Sequence, residues 1–146
     1  MFSQKDAPDH HDAELVLKVY ELRRDPIMRQ SRQDISKKFL PSTYDEFLAV
    51  TKEDHPLNSA YRQVSSYWEM VYAMAKHGVI HGEFMLESCG EGIYLFAKVR
   101  PYLARFRAEQ NPLAFQNAEW VAINTKRGQV LAERFTKRVA ASLAAR

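Results

Sequence analysis

A chain of 146 residues, 46% of them hydrophobic, is long enough to bury one core and too apolar to stay disordered. Its single cysteine, Cys89, excludes an intrachain disulfide, and no apolar run approaches the ~20 residues that span a bilayer. The net charge of +3 hides an asymmetry. Residues 1–97 carry 11 Lys/Arg against 15 Asp/Glu, net −4, and residues 98–146 carry 10 against three, net +7. The polar, acidic start MFSQKDAPDHHDAE lacks the basic end and apolar centre of a signal peptide. A bacterial, cytoplasmic location is the expectation.

In chain order, residues 1–11 are expected to form a flexible leader and residues 12–146 a single helical domain. The first helix should begin near Asp9–Asp12 and reach about Arg24, with Leu15, Val19 and Leu22 as its stripe. Asp25-Pro26 places a cap before a proline at the first helical position, opening a surface helix to about Phe39. Ser42 with Asp45 predicts a cap for a short helix over 43–52, and His55-Pro56 starts the next. From Leu57 the periodicity is strong: Leu57, Tyr61, Val64, Trp68, Val71 and Ala75 form one stripe, ended by Gly78. A second arm is expected over 83–100, with Met85, Cys89, Gly92, Phe96 and Val99 on one face. Its mixture of small and large residues predicts close approach of another helix. Pro101 should kink or restart it. Asn111-Pro112 caps a helix to about Thr125, and Leu131, Phe135, Val139 and Leu143 mark the last one, which Gly128 either breaks from its predecessor or merely weakens. The whole predicts an all-α bundle of six to eight helices around a central helical hairpin, 57–77 with 83–100.

At this hairpin the sequence resembles a bacterial all-helical domain family of unknown function. The resemblance rests on Tyr67-Trp68-Glu69, Lys76-His77-Gly78-Val79-Ile80, Cys89-Gly90, Pro101 and Arg107, over about residues 60–122. It implies a helical fold and supplies no activity and no catalytic residues. The membrane tethering of some such proteins, through an N-terminal helix, is not carried over.

Few residues invite chemistry. Asp9-His10-His11-Asp12 contains four ligand types, but four consecutive side chains seldom meet one ion, and helix capping is the preferred reading. His77 and His81 have helical ligand spacing but flank Gly78, so they are expected to cap a helix end and line a turn. Cys89, on a small-residue face, is expected to be buried and inert. Glu69 sits beside a Trp on a largely apolar helix. It is either an acid or base with a raised pKa or, preferably, the partner of Arg100, Arg105 or Arg107. No residue is assigned to catalysis or to metal, and no cofactor is implied.

The expectation is therefore a non-catalytic interaction or structural module with a propensity to self-associate, its protein partner unknown. One alternative is nucleic-acid or anionic-surface binding through Lys126, Arg127, Arg134, Lys137 and Arg138, although a basic run is more often a solvated face. The other is a small-ligand or enzyme pocket near Glu69, His77 and Arg107.

Overall fold

The punctuation read from the sequence sets most helix ends. In the computed structural model, which describes residues 5–146, the elements are α1 (His10–Arg23), α2 (Pro26–Lys38), α3 (Tyr44–Val50), α4 (Asn58–Lys76), α5 (Gly82–Leu86), α6 (Glu91–Glu109), α7 (Gln116–Asn124) and α8 (Lys126–Ala144). Among the described residues there is no strand, and the chain forms one all-α bundle. The leader expected over residues 1–11 lies partly outside the described residues. Within them Lys5 already bonds Asp12 (2.9 Å), and α1 begins at His10.

Caps do much of the local work. Asp9 and Asp12 form a reciprocal capping box at the start of α1, and Asp25 accepts the Met28 amide (3.0 Å) ahead of Pro26. Thr43, not Ser42, caps α3 by accepting from Glu46 N (3.1 Å). Ser42 instead donates from both its amide and its hydroxyl to the Glu46 carboxylate. Gly78 takes φ 71°, and the Val79 amide returns to the Met74 carbonyl (2.8 Å) while Gly78 N reaches Ala75 O (3.1 Å). This is a Schellman closure, and it needs a residue tolerant of the left-handed region.

α4 is the spine. Val64, Trp68, Val71, Tyr72 and Ala75 are buried on it, facing α2, α6 and α7. α6 approaches closely at Gly92, where an added Cβ would lie 2.6 Å from Tyr72 Cε2 and 2.7 Å from Trp68 Cγ. The small residue in the predicted stripe is thus the contact point between the two long helices. Below it, Phe47 of α3 packs on Phe106 (centroids 4.9 Å) and near Tyr61 (6.2 Å), carrying the core to the far end of the bundle.

The second arm differs from its expected course. It is not continuous over 83–100: α5 stops at Leu86, and α6 starts at Glu91 and runs through Pro101 to Glu109. Ser88-Cys89-Gly90 turns the chain there, and the Tyr72 hydroxyl donates to Cys89 O (2.8 Å), satisfying a carbonyl that the broken helix frees. Pro101 removes one helical donor without ending the helix, and its ring faces solvent. Thr125 separates α7 from α8. Its hydroxyl donates to Val121 O (2.7 Å) and accepts from Gly128 N (2.9 Å), and a Cβ on Gly128 would collide with both Val121 O and Thr125 Oγ1. Gly128 therefore belongs to the first turn of α8, tightening the α7–α8 corner.

Candidate functional site

Glu69 is half-buried on α4, and its carboxylate meets the start of α7. Oε1 accepts from Asn117 N (3.1 Å) and Oε2 from Ala118 N (2.8 Å), while the Asn117 side chain donates back to Glu69 O (3.0 Å). α7 needs this help because its own N-cap position is Phe115, which offers no side-chain acceptor and holds φ 57°, ψ 23°. A carboxylate at the positive end of a helix satisfies two orphan amides and the dipole together. Burial pushes the Glu69 carboxyl above its usual range, and the two amides, then Lys76 and Arg107, oppose that.

The arginines expected as partners of Glu69 are engaged elsewhere. Arg107 donates through Nε to Ala114 O (2.9 Å) and through Nη1 to both oxygens of Glu119 (3.1 Å), acting on Glu69 only through space. Arg105 pairs with Glu109 (3.0 Å) and lies 4.0 Å from the Tyr44 ring centroid. Arg100 lies against Phe96, 5.3 Å from its ring. Periodicity alone does not reveal that Glu69 faces the end of a helix nearly fifty residues away. The cap expected at Asn111-Pro112 does not serve this helix: Asn111 Oδ1 accepts from Leu113 N (3.0 Å) in a turn, and α7 begins only at Gln116, which leaves Phe115 at its N-cap position.

An open groove of about 770 Å³ runs over this junction, between the first half of α4 and the 111–117 connection. Ser59, Arg62, Ser66, Glu69, Asn111 and Phe115 are among its walls. His77 and Arg107 do not line it, so the three residues expected to share a pocket are not brought together there. Both Glu69 oxygens in the groove already accept hydrogen bonds from backbone amides, and the Ser66 hydroxyl donates to Arg62 O.

The other chemically suggestive residues serve the same fastening. Asp12, fully buried, accepts from Asp9 N (2.8 Å), Lys5 Nζ (2.9 Å) and His81 N (2.7 Å). Burial alone would raise its pKa, but those three donors together hold the carboxyl down to about 2. His81 caps α5, its Nδ1 accepting from Phe84 N (3.0 Å), and exposed His77 stands at the C-terminal end of α4. Glu83 accepts the amides of Lys126 and Arg127 and so caps α8 from α5. Cys89 is buried, which pushes its thiol up, away from thiolate chemistry. Among the described residues no group of three or more His, Cys, Asp or Glu is placed to hold a metal.

Lys98 is a functional-looking residue that the sequence pattern hides inside an apolar run. Only 2% exposed, it donates to Ile35 O (3.0 Å) and Ser36 O (3.4 Å) at the C-terminal end of α2, and its Nζ lies 4.5 Å from the Tyr94 ring centroid. Burial first, then nearby Arg138, push its pKa down to about 8. The basic C-terminal residues divide in space. Arg138 covers Tyr94 (4.6 Å) with Arg134 one turn before it. Lys137 pairs with Glu133 on a separate depression shared with Arg100, and Lys126 and Arg127 stand at the Glu83-capped start of α8.

The fold and this site thus define a helical domain whose internal charges bind its own helix ends. The chain belongs to the family described as a domain of unknown function (DUF4760), whose model matches residues 8–125. No curated protein and no solved structure matches it. Among the described residues no helix is long and apolar enough to cross a membrane.

Proposed function

We propose that this protein is a non-catalytic interaction module that self-associates through the outer flank of α1, in a bacterial cytoplasm. The observation that carries the proposal is the distribution of apolar residues on that helix. Leu15, Val16, Leu17, Val19, Tyr20 and Leu22 surround most of its circumference, yet the bundle fully buries only Val19 among them. Leu17 is 67% and Tyr20 53% exposed, and Ala13, Leu17 and Tyr20 follow one another at i, i+4 and i+7. A helix apolar around most of its circumference, with its exposed charges confined to the Glu14, Lys18 and Glu21 face, is suited to burial on more than one side. A twofold pairing of α1 with α1 of a second copy would use this one flank on both partners. Arg23 supports Tyr20 from behind: its guanidinium lies 5.3 Å from the Tyr20 ring and 5.5 Å from the Trp68 ring, which pre-orders an aromatic at the surface.

The non-catalytic part of the proposal is supported by the use already made of Asp12, Glu69, His81 and Glu83 as helix caps. Sedimentation velocity over a concentration series tests the self-association. Wild type should sediment as a dimer, and Leu17→Glu combined with Tyr20→Glu as a monomer with unchanged helical circular dichroism. A wild type that remains monomeric throughout overturns the proposal.

A further inference from the structure

Two basic segments about a hundred residues apart meet on one side of the bundle. Residues 23–38 carry six Lys/Arg against Asp25 and Asp34, although they lie in the acidic part of the chain. α2, which holds most of them, packs on α4 and is tied to α6 through Lys98 and Arg32, and α8 packs on α6. The Glu91–Tyr94–Lys98 face of α6 forms the seam. Arg32 of α2 grips Glu91 through two bonds (2.8 and 3.2 Å), and Lys98 and Arg138 lie 4.5 and 4.6 Å from the centroid of the same Tyr94 ring. An open depression of about 490 Å³ beside the seam is lined by Arg29, Arg32, Ser36, Lys37 and Glu91. Arg29, Lys37, Arg134 and Arg138 are exposed, and among the described residues none of these four has a carboxylate within ion-pair distance. The carboxylates nearest to them in sequence or along the seam are already engaged: Asp25 by the Met28 amide, Glu91 by Arg32, Asp34 by Lys38 and Glu133 by Lys137.

We propose that this belt, Arg29 and Lys37 on one edge and Arg134 and Arg138 on the other, binds the phosphate backbone of duplex DNA without reading its sequence. The spare cations are free to neutralise backbone phosphates, and release of the counterions supplies the affinity. The uncharged neighbours on α2, Gln30, Gln33 and Ser36, are hydrogen-bonding rather than apolar. Ile27 is the one large exposed apolar side chain of α2 and Val130 that of α8, too few for a helix that lies in a membrane interface. Single strands are bound largely by stacking on free aromatic rings. Here Tyr94 is covered by Lys98, Arg138 and Phe135, which leaves the belt backbone contacts alone. Sequence-blind positioning on phosphates needs nothing further.

The test is fluorescence anisotropy of the full chain with a labelled duplex DNA, over a range of salt concentrations. Duplex should bind, and more weakly as salt rises. Arg29→Glu with Lys37→Glu, and separately Arg134→Glu with Arg138→Glu, should each weaken binding by about tenfold or more and flatten the log–log salt slope by about 0.9 per lost phosphate contact. Lys52→Glu with Arg62→Glu makes the same change in net charge away from the belt and should cost far less. Circular dichroism checks each variant, and Arg29→Gln or Arg134→Gln, single changes at exposed positions, replace any pair that unfolds. Failure to bind duplex at low salt, an equal loss in the Lys52/Arg62 control, or tighter binding to single-stranded RNA or to phosphatidylserine vesicles each overturns the proposal.

Discussion

Glu69 on α4 receives the Ala118 amide of α7 at 2.8 Å, serving a helix that has no cap of its own. Glu83 likewise reaches from α5 to the Lys126 and Arg127 amides of α8, which the local Thr125 cap leaves open, and Lys98 acts in opposite sign from α6 on α2. Long-range side chains therefore close helix ends that local residues leave open.

Loss of that contact should act on α7 before the rest of the fold. Glu69→Ala is expected to cost about 1–2 kcal/mol in urea denaturation, the range for removing a helix cap. Hydrogen exchange at the Asn117 and Ala118 amides should accelerate more than at the α4 amides. Glu69→Gln should cost less, since it keeps one acceptor oxygen and avoids burying a charge. Unchanged exchange at both amides in Glu69→Ala would refute the capping role.

Asp12 should make stability sensitive to acid. Its carboxyl is held down to about 2 in the fold, against 3.8 ordinarily. The unfolded chain therefore takes up this proton first, and the stability Asp12 confers is complete above pH ~4 and disappears as pH falls towards 2. Asp12→Asn should be less stable than wild type at neutral pH, with the gap closing across that acid window. A gap that stays constant down to pH 2 would show that Asp12 contributes through its shape and not its charge.

Lys98 adds a second rise of stability with pH, at alkaline pH, because here burial disfavours the charged form. Its pKa is pushed down to about 8 in the fold, against 10.5 ordinarily. Between those values the unfolded chain holds the proton that the folded chain has released, so stability rises with pH. From about pH 9 buried Cys89, and near pH 10 buried Tyr61, Tyr67 and Tyr72, oppose this, because they keep their protons when folded and lose them when unfolded. Chemical denaturation from pH 7 to 10 should show the rise in wild type and its absence in Lys98→Met. A flat wild-type profile would mean that the folded lysine is as easily charged as a free one.

Two glycines should be intolerant of a methyl group. Gly92→Ala drives a Cβ to 2.6–2.7 Å from the Tyr72 and Trp68 rings, and Gly128→Ala drives one into the backbone carbonyl of Val121. Overpacking of this kind typically costs about 1–3 kcal/mol. Thermal melts should place both variants below wild type, with Gly128→Ala affected more, because a backbone oxygen cannot swing aside as a side chain can. A melting temperature within error of wild type for Gly92→Ala would show that α4 and α6 separate easily.

Helix positions were largely legible from sequence because their causes are local. Asp25-Pro26, the Gly78 turn and the Leu57–Ala75 stripe act within a few residues, and each marks a boundary or a buried face that the structure contains. Gly92 as a point of close approach was legible too, since a small residue amid large ones has one simple use. The break between α5 and α6 was not. The apolar period continues across Ser88-Cys89-Gly90, and the carbonyls that the interruption frees are satisfied from afar, Cys89 O by the Tyr72 hydroxyl and Ser88 O by Arg23.

The roles of the charges lay beyond the sequence for the same reason. A carboxylate's behaviour depends on which donors surround it. The donors to Glu69 come from residues 117 and 118, and the acceptors of Lys98 from residues 35 and 36. Local hydrogen bonding and hydrophobic period determined that this chain is an all-helical bundle and roughly where its helices lie. Tertiary packing alone decided that its buried charges fasten helix ends, and that the basic residues of α2 and α8 share one side of the molecule.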